Sequence, residues 1–148
     1  MTKIISPVAG RVIPLAEVAD PVFSEQMLGP GVGIEPRPGK SSVIAPAAGK
    51  LVKVHPHAVA MQTSDGLALL VHLGINTVKL DGAGFEVLVA DGDEVSAGQE
   101  LIRWDVDRMV GDDIHATVLM VVMERPADSL ELPCLGKDVQ AGDELFTA

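Results

Sequence analysis

Four histidines, His55, His57, His72 and His115, and one cysteine, Cys134, are the side chains of this 148-residue sequence that titrate near neutral pH or act as strong nucleophiles. His57 and His72 flank a turn signal, Ser64, Asp65 and Gly66, with the strand-forming runs HAVAMQT and LALLVHL on either side. This pattern predicts a β-hairpin. With Ser64 and Asp65 as a two-residue loop, paired positions sum to 129 and His57 faces His72 directly, the Cβ atoms about 4.5 to 5.5 Å apart. With Asp65 and Gly66 as the loop the sum is 131, and His72 lies opposite Val59, diagonal to His57 on the same sheet face. A three-residue loop inverts the parity and separates the imidazoles. His55 shares the parity of His57, and Pro56 between them cannot donate a ladder hydrogen bond, which places the site at an edge strand or bulge near a sheet margin.

An imidazole pair can hold a metal ion, act as a nucleophile with a supporting hydrogen-bond donor, or simply pack with its polar atoms satisfied locally. His72 sits in an apolar strand, where a histidine bonded to backbone carbonyls is ordinary. Its chemistry permits more. A mostly neutral imidazole offers a free ring nitrogen that needs no base to activate it, and phosphoryl transfer to that nitrogen gives a phosphohistidine. A second imidazole could donate a hydrogen bond to the charge developing on the phosphoryl oxygens.

The other candidates are weaker. His115 in DDIHATV has nothing nearby to complete a metal set and reads as a structural or surface residue. Asp81, Gly82 and Gly84 read as a turn behind the His72 strand, and Asp91 to Glu94 as a solvated turn without the spaced oxygen ligands of an EF-hand. Gly29, Gly31 and Gly33 in GPGVG have no following helix N-terminus to cradle phosphate and read as turn material. Met61, Met109, Met120 and Met123 read as gap-filling core residues.

The elements that must position the histidines are strands. Gly (15) and Pro (10) recur every few residues and leave little room for helices. GRVIPL, KLVKV, HAVAMQT, LALLVHL, FEVLVA and TVLMVVM are short β-branched or Leu-rich runs bounded by turn formers, an all-β signature. Only Asp105 to His115 and Ala127 to Leu130 leave room for a short helical turn. Gly33 to Ser42 reads as a long Pro-rich loop, and no linker divides the chain, so residues 1–148 are expected to form one domain. Two echoes indicate repeated supersecondary units: SPVAGRVI at Ser6 returns as APAAGKLV at Ala45, and GDEVSAGQEL at Gly92 returns as GKDVQAGDEL at Gly136.

A net charge of −10, from 11 basic against 21 acidic residues, argues against nucleic acid and for a basic partner surface. A single cysteine excludes an internal disulfide and fits a reducing cytoplasm. No segment approaches the roughly 20 apolar residues of a membrane span, and the N-terminus lacks a signal-peptide core.

The segments SPVAGRVIPLAEVADPVFSEQMLGPGVGIEP, APAAGKLVKVHPHAVAMQTSDGLALLVHLGINTVKLDGAGFEVLV and DGDEVSAGQELIRWD, with the 15-residue interval between the two histidines, resemble the glucose-type IIA proteins and domains of the bacterial sugar phosphotransferase system over nearly the whole chain. The resemblance implies an antiparallel β-sandwich with barrel character and a shallow apolar depression around the histidines. It implies that His72 accepts a phosphoryl group on Nε2 from the phosphocarrier protein HPr and passes it to a cysteine of a IIB domain, with His57 supporting the phosphoryl group. A docking rim is expected at Asp20, Val22, Phe23, Val59, Leu73 and Asn76, and no cofactor is required. In this family phosphorylation state can also regulate other proteins.

Three departures bear on the site. Asn76 stands where the family commonly has Asp, which removes a carboxylate expected to face basic HPr residues, while Asp20 remains. His55 stands where Thr is common, and Lys53 and Val59 where some members carry bulkier apolar residues. The chain opens almost directly on its first strand, so attachment to a membrane through an amphipathic N-terminal arm is not expected. Two other classes stay open: a biotinyl- or lipoyl-like carrier domain, suggested by the two echoes but lacking a lysine in a suitable setting, and a zinc-binding interaction module with His57 and His72 as two ligands. Glucose, N-acetylglucosamine and β-glucosides all stay open as the transported sugar, since a IIA domain does not touch it.

Overall fold

Strands form where the β-branched and leucine-rich runs stand between turn formers. The computed structural model describes residues 1–148. Its strands are β1 (Lys3–Ile5), β2 (Gly10–Pro14), β3 (Gly31–Pro36), β4 (Lys40–Ile44), β5 (Gly49–His55), β6 (Ala58–Thr63), β7 (Ala68–Ile75), β8 (Phe85–Val87), β9 (Glu94–Val95), β10 (Glu100–Asp105), β11 (His115–Met123), β12 (Asp138–Val139) and β13 (Glu144–Thr147). The helical content is one turn of α-helix, α1 (Pro21–Ser24), and three 3-10 turns, Leu15–Glu17, Thr77–Leu80 and Val106–Arg108. The turn at Val106 falls in a segment expected to hold one, whereas Leu15–Glu17, Pro21–Ser24 and Thr77–Leu80 fall where none is expected, and Ala127 to Leu130 forms only a reverse turn.

An eight-stranded sheet runs β12-β2-β3-β11-β7-β6-β5-β9, with smaller sheets β4-β10-β8 and β1-β13, and every pairing is antiparallel. The long sheet ends at β12 and β9 without closing, so the architecture is a sandwich rather than a closed barrel. Alternation along each strand sorts the side chains between its faces. Leu69, Val71 and Leu73 of β7 and Val118, Met120 and Val122 of β11 point into the main core, where they meet Ile4, Val43, Leu101, Trp104 and Phe146 from the smaller sheets. Leu119 and Val121 point to the opposite face, where Leu15, Val18 and Phe23 from the β2–β3 connection cover them in a second, smaller core.

The echoes dock crosswise. Gly10 of β2 pairs with Val139 of β12, and Gly49 of β5 pairs with Val95 of β9. The Gly142 N–H bonds to the Ser6 carbonyl at 2.9 Å, and the Gly98 N–H to the Ala45 carbonyl at 2.9 Å. Basic Arg11 and Lys50 stand opposite acidic Asp138 and Glu94. The two ends of the long sheet are thus built alike, and β3 corresponds to β6 as the next strand inward.

Two sequence expectations fail in the Gly-rich region. GPGVG is not turn material and Gly33 to Ser42 is not a long loop, because Gly31–Pro36 is β3, an interior strand between β2 and β11, and Lys40–Ile44 is β4. The glycines answer a crowding problem rather than a turn. A Cβ on Gly31 would fall 2.0 Å from the Met120 carbonyl oxygen, and one on Gly33 would fall 2.9 Å from Ile13 Cγ1. Strand glycine here marks close backbone approach.

Candidate functional site

The register of the β6–β7 hairpin differs from both expected registers. Ala58 pairs with His72, Val59 with Val71 and Gln62 with Ala68, so paired positions sum to 130. Ser64, Asp65 and Gly66 together form a three-residue loop, closed by the Thr63 N–H to the Leu67 carbonyl at 2.9 Å, with Gly66 at φ +89°. The parity is therefore the inverted one, yet the imidazoles meet, with ring centroids 5.3 Å apart and planes at 74°. The reason is that His57 is not a strand residue. Strands β5 and β6 are joined by a two-residue turn, Pro56 and His57, closed by the pair His55 and Ala58, and alternation does not govern a turn. The His57 carbonyl accepts the Leu73 N–H at 2.7 Å, which ties the turn to β7 beside His72.

Pro56 has the same explanation. At a hairpin tip it forfeits no ladder bond, so it marks neither an edge strand nor a bulge; β6 and β7 are interior strands. The irregularity of β5 falls earlier, between Leu51 and Lys53.

His72 is half-buried on the outer face of β7, with Leu119 directly across the sheet. Its Nδ1 lies 2.7 Å from the Gly74 carbonyl oxygen. A carbonyl only accepts, so Nδ1 carries the proton and Nε2 keeps its lone pair. The reach from residue 72 back to the carbonyl at 74 needs a bent chain. Gly74 sits at φ +90°, and a Cβ there would fall 2.4 Å from Thr77 Cγ2 and 2.6 Å from the His115 carbonyl oxygen. Buried Thr77 donates its hydroxyl to the Leu73 carbonyl at 2.6 Å and holds the bend. Sequence reasoning missed this support; the signal was a glycine two residues after the histidine, inside a strand.

One wall of the site comes from the β2–β3 connection. Asp20 caps α1, its Oδ1 accepting the Val22 N–H at 2.9 Å, and Pro21 follows at the first helical position. The cap presents buried Phe23, whose ring is 5.1 Å from that of His72 at 55°. On the far side the exposed His55 stacks on His57, centroids 5.6 Å apart and planes 23° apart.

Burial holds His72 below its ordinary pKa, opposed by the bond to Gly74 and the nearby Asp20 carboxylate. His57 is also lowered, by burial and then by the positive charge that His72 and His55 would carry. Both imidazoles therefore favour the neutral form at pH 7: a free lone pair on His72 and one N–H on His57.

The expected rim divides. Asp20, Val22 and Phe23 stand at the site, with Val22 40% exposed and Phe23 buried as a wall. Val59 and Leu73 do not belong to a docking surface, because both point into the main core at 1% and 0% exposure. Asn76 adopts the left-handed conformation and donates its amide to the Asp113 carbonyl at 2.8 Å, a bond a carboxylate could not make. Lys53 pairs with Asp91. His115 is exposed at the start of β11, and the Asp81 to Gly84 segment is a turn.

No group of three or more His, Cys, Asp or Glu side chains is placed to hold a metal ion. His57 and His72 could offer at most two ligands, the rest coming from a partner. A cavity of about 660 Å³ lies elsewhere, lined by Lys40, Ser42, Phe85, Arg103 and Arg108. Its Arg103 is already paired with Glu86 and Glu100. No helix is long and apolar enough to cross a membrane.

Residues 2–127 match the family described as phosphoenolpyruvate-dependent sugar phosphotransferase system, EIIA 1. The glucose-specific EIIA component of Staphylococcus epidermidis is 46% identical over 107 residues, covering 71% of this chain and 63% of that protein. The corresponding component of Staphylococcus aureus is 44% identical over 106 residues, covering 70% and 63%. The chain thus spans less than two thirds of the length of these relatives. In structure it is similar to glucose permease IIA from Mycoplasma capricolum, with a TM-score of 0.87, 36% identity, and coverage of 97% of this chain and 93% of that one.

Proposed function

Because the chain belongs to the EIIA 1 family of the phosphoenolpyruvate-dependent sugar phosphotransferase system, we propose that it relays a phosphoryl group between two proteins, with His72 as the acceptor. The observation that carries this reading is the 2.7 Å contact from His72 Nδ1 to the Gly74 carbonyl, which leaves Nε2 unprotonated beside a second neutral imidazole. The Nε2 lone pair attacks phosphorus on phosphorylated HPr. The donor's P–N bond breaks, its electron pair returns to the donor ring, and no proton need leave His72. His57 donates its N–H to a phosphoryl oxygen as charge accumulates there, and the tilted Phe23 ring shields one flank from water. In the second transfer a cysteine thiolate of a IIB domain attacks the same phosphorus, and the P–N electrons return to Nε2.

Asp20, exposed Val22 and the acidic balance of the chain suit a basic donor surface, with rim charge setting encounter rate more than affinity. The reading places the chain in the cytoplasm, where HPr works, and needs no resident cofactor. Incubation with labelled phosphoenolpyruvate, enzyme I and HPr tests it. Acid-labile, base-stable label on wild type and none on His72→Ala is expected; equal labelling of the two would refute the assignment.

A further inference from the structure

The two rings of the site are held unequally. His72 is fixed by a hydrogen bond from its own ring, Nδ1 to the Gly74 carbonyl, and by the buried Phe23 against it. His57 sits on a two-residue turn, and its ring makes no hydrogen bond to another protein group. What restrains it is aromatic contact on two sides: the edge-on His72 ring and the nearly parallel His55 ring, 23° from its plane at 5.6 Å. A donor that must meet a phosphoryl oxygen depends on ring orientation, so a freely rotating His57 would lose much of its effect.

We propose that His55 is a positioning residue for phosphoryl transfer, a flat side chain stacked on the outer face of His57 that fixes the plane from which His57 donates to the phosphoryl group. This rests on the phosphocarrier reading above. His55 is suited to the task because its backbone is held firmly. It closes the hairpin by pairing with Ala58, and the preceding Val54 N–H is anchored to Asp91 Oδ1 at 2.7 Å. It acts through its ring face rather than through a hydrogen bond, and no bond joins its nitrogens to either other histidine. An exposed, non-bonded imidazole contributes little to the core, so its replacement separates positioning from folding.

The test uses the full chain with His55→Ala, His55→Phe and His55→Gln, read by the rate of phosphoryl acceptance from phosphorylated HPr and by the chemical shifts of the His57 ring protons. His55→Ala and His55→Gln should slow acceptance by about two- to tenfold, the value of one aromatic pair, while His55→Phe stays near wild type. The His57 ring protons should lose their shielding in the Ala and Gln variants and keep it in Phe, with unfolding midpoints unchanged throughout. Wild-type rates in His55→Ala, or rescue by Gln and not by Phe, would overturn the positioning role. A wild type that accepts no phosphate refutes the phosphocarrier reading itself, a different result from a wild type that accepts phosphate and is indifferent to residue 55.

Discussion

The long sheet holds two halves of one design, β12-β2-β3-β11 and β9-β5-β6-β7, and only one carries the paired imidazoles, His57 and His72. In the first, Gly31 opens β3 opposite Val121, and Pro30 precedes it. In the second, Ala58 opens β6 opposite His72, and His57 precedes it. The halves differ most in how their first two long strands connect. Strands β5 and β6 are joined by Pro56 and His57 alone; β2 and β3 are joined by residues 15–30, which cross the outer face and deliver Phe23 and Asp20 to the histidines of the other half. The repeated frame thus supplies position, and the unequal connections supply chemistry. The half without the histidine pair contributes the wall.

Substitutions that act on one half only sharpen this comparison. His72→Ala should abolish phosphoryl acceptance with little change in stability, since the side chain is only half-buried; a labelling time course and a urea melt measure both. His57→Ala removes the donor and should slow acceptance by about 10²- to 10³-fold, as loss of one oxyanion donor does, while slow labelling still reaches His72. Phe23→Ala breaks the loan between halves: it should cost about 3–5 kcal/mol by denaturant titration and also slow transfer. An effect on stability alone would show that the wall is merely structural. Asp20→Ala removes the α1 cap and should cost about 1 kcal/mol, with a further loss in the rate of encounter with a basic donor at low salt.

Acid should separate the halves as well. Burial depresses the pKa of His72 from 6.5, so between its lowered value and 6.5 the unfolded chain binds more protons than the folded one. Stability contributed by the neutral imidazole is full above about 6.5 and is lost as pH falls through that value toward the folded pKa. Acceptance should hold through that window and drop only once folded His72 protonates. A pH–rate profile beside unfolding curves checks this, and in His72→Ala the matching component of the stability curve should vanish.

Strands with strong side-chain signals were legible in the sequence: GRVIP, LALLVHL and TVLMVVM form β2, β7 and β11 nearly where their composition places them. Strand β3 was not, because its glycines are there for close packing against Met120 and Ile13, and composition does not distinguish a glycine that turns from one that yields space. The meeting of His57 and His72 was legible as an outcome but not as a route. A register one residue off would send a pair of strand histidines to opposite faces, and this pair survives because a proline-led turn frees His57 from alternation. Phe23 and Asp20 were expected at the rim by resemblance to the family; that they arrive on a strap from the other half depends on tertiary packing, which no local pattern encodes.

The long sheet also ends, on both sides, in strands of only two residues, β9 and β12, each carrying an acidic side chain, Glu94 and Asp138. A sheet edge is a template for another chain, and one this short and this charged gives a second molecule almost nothing to copy. At the ends of its long sheet, a protein whose proposed work consists of repeated brief encounters thus offers its own copies little to zip onto edge to edge.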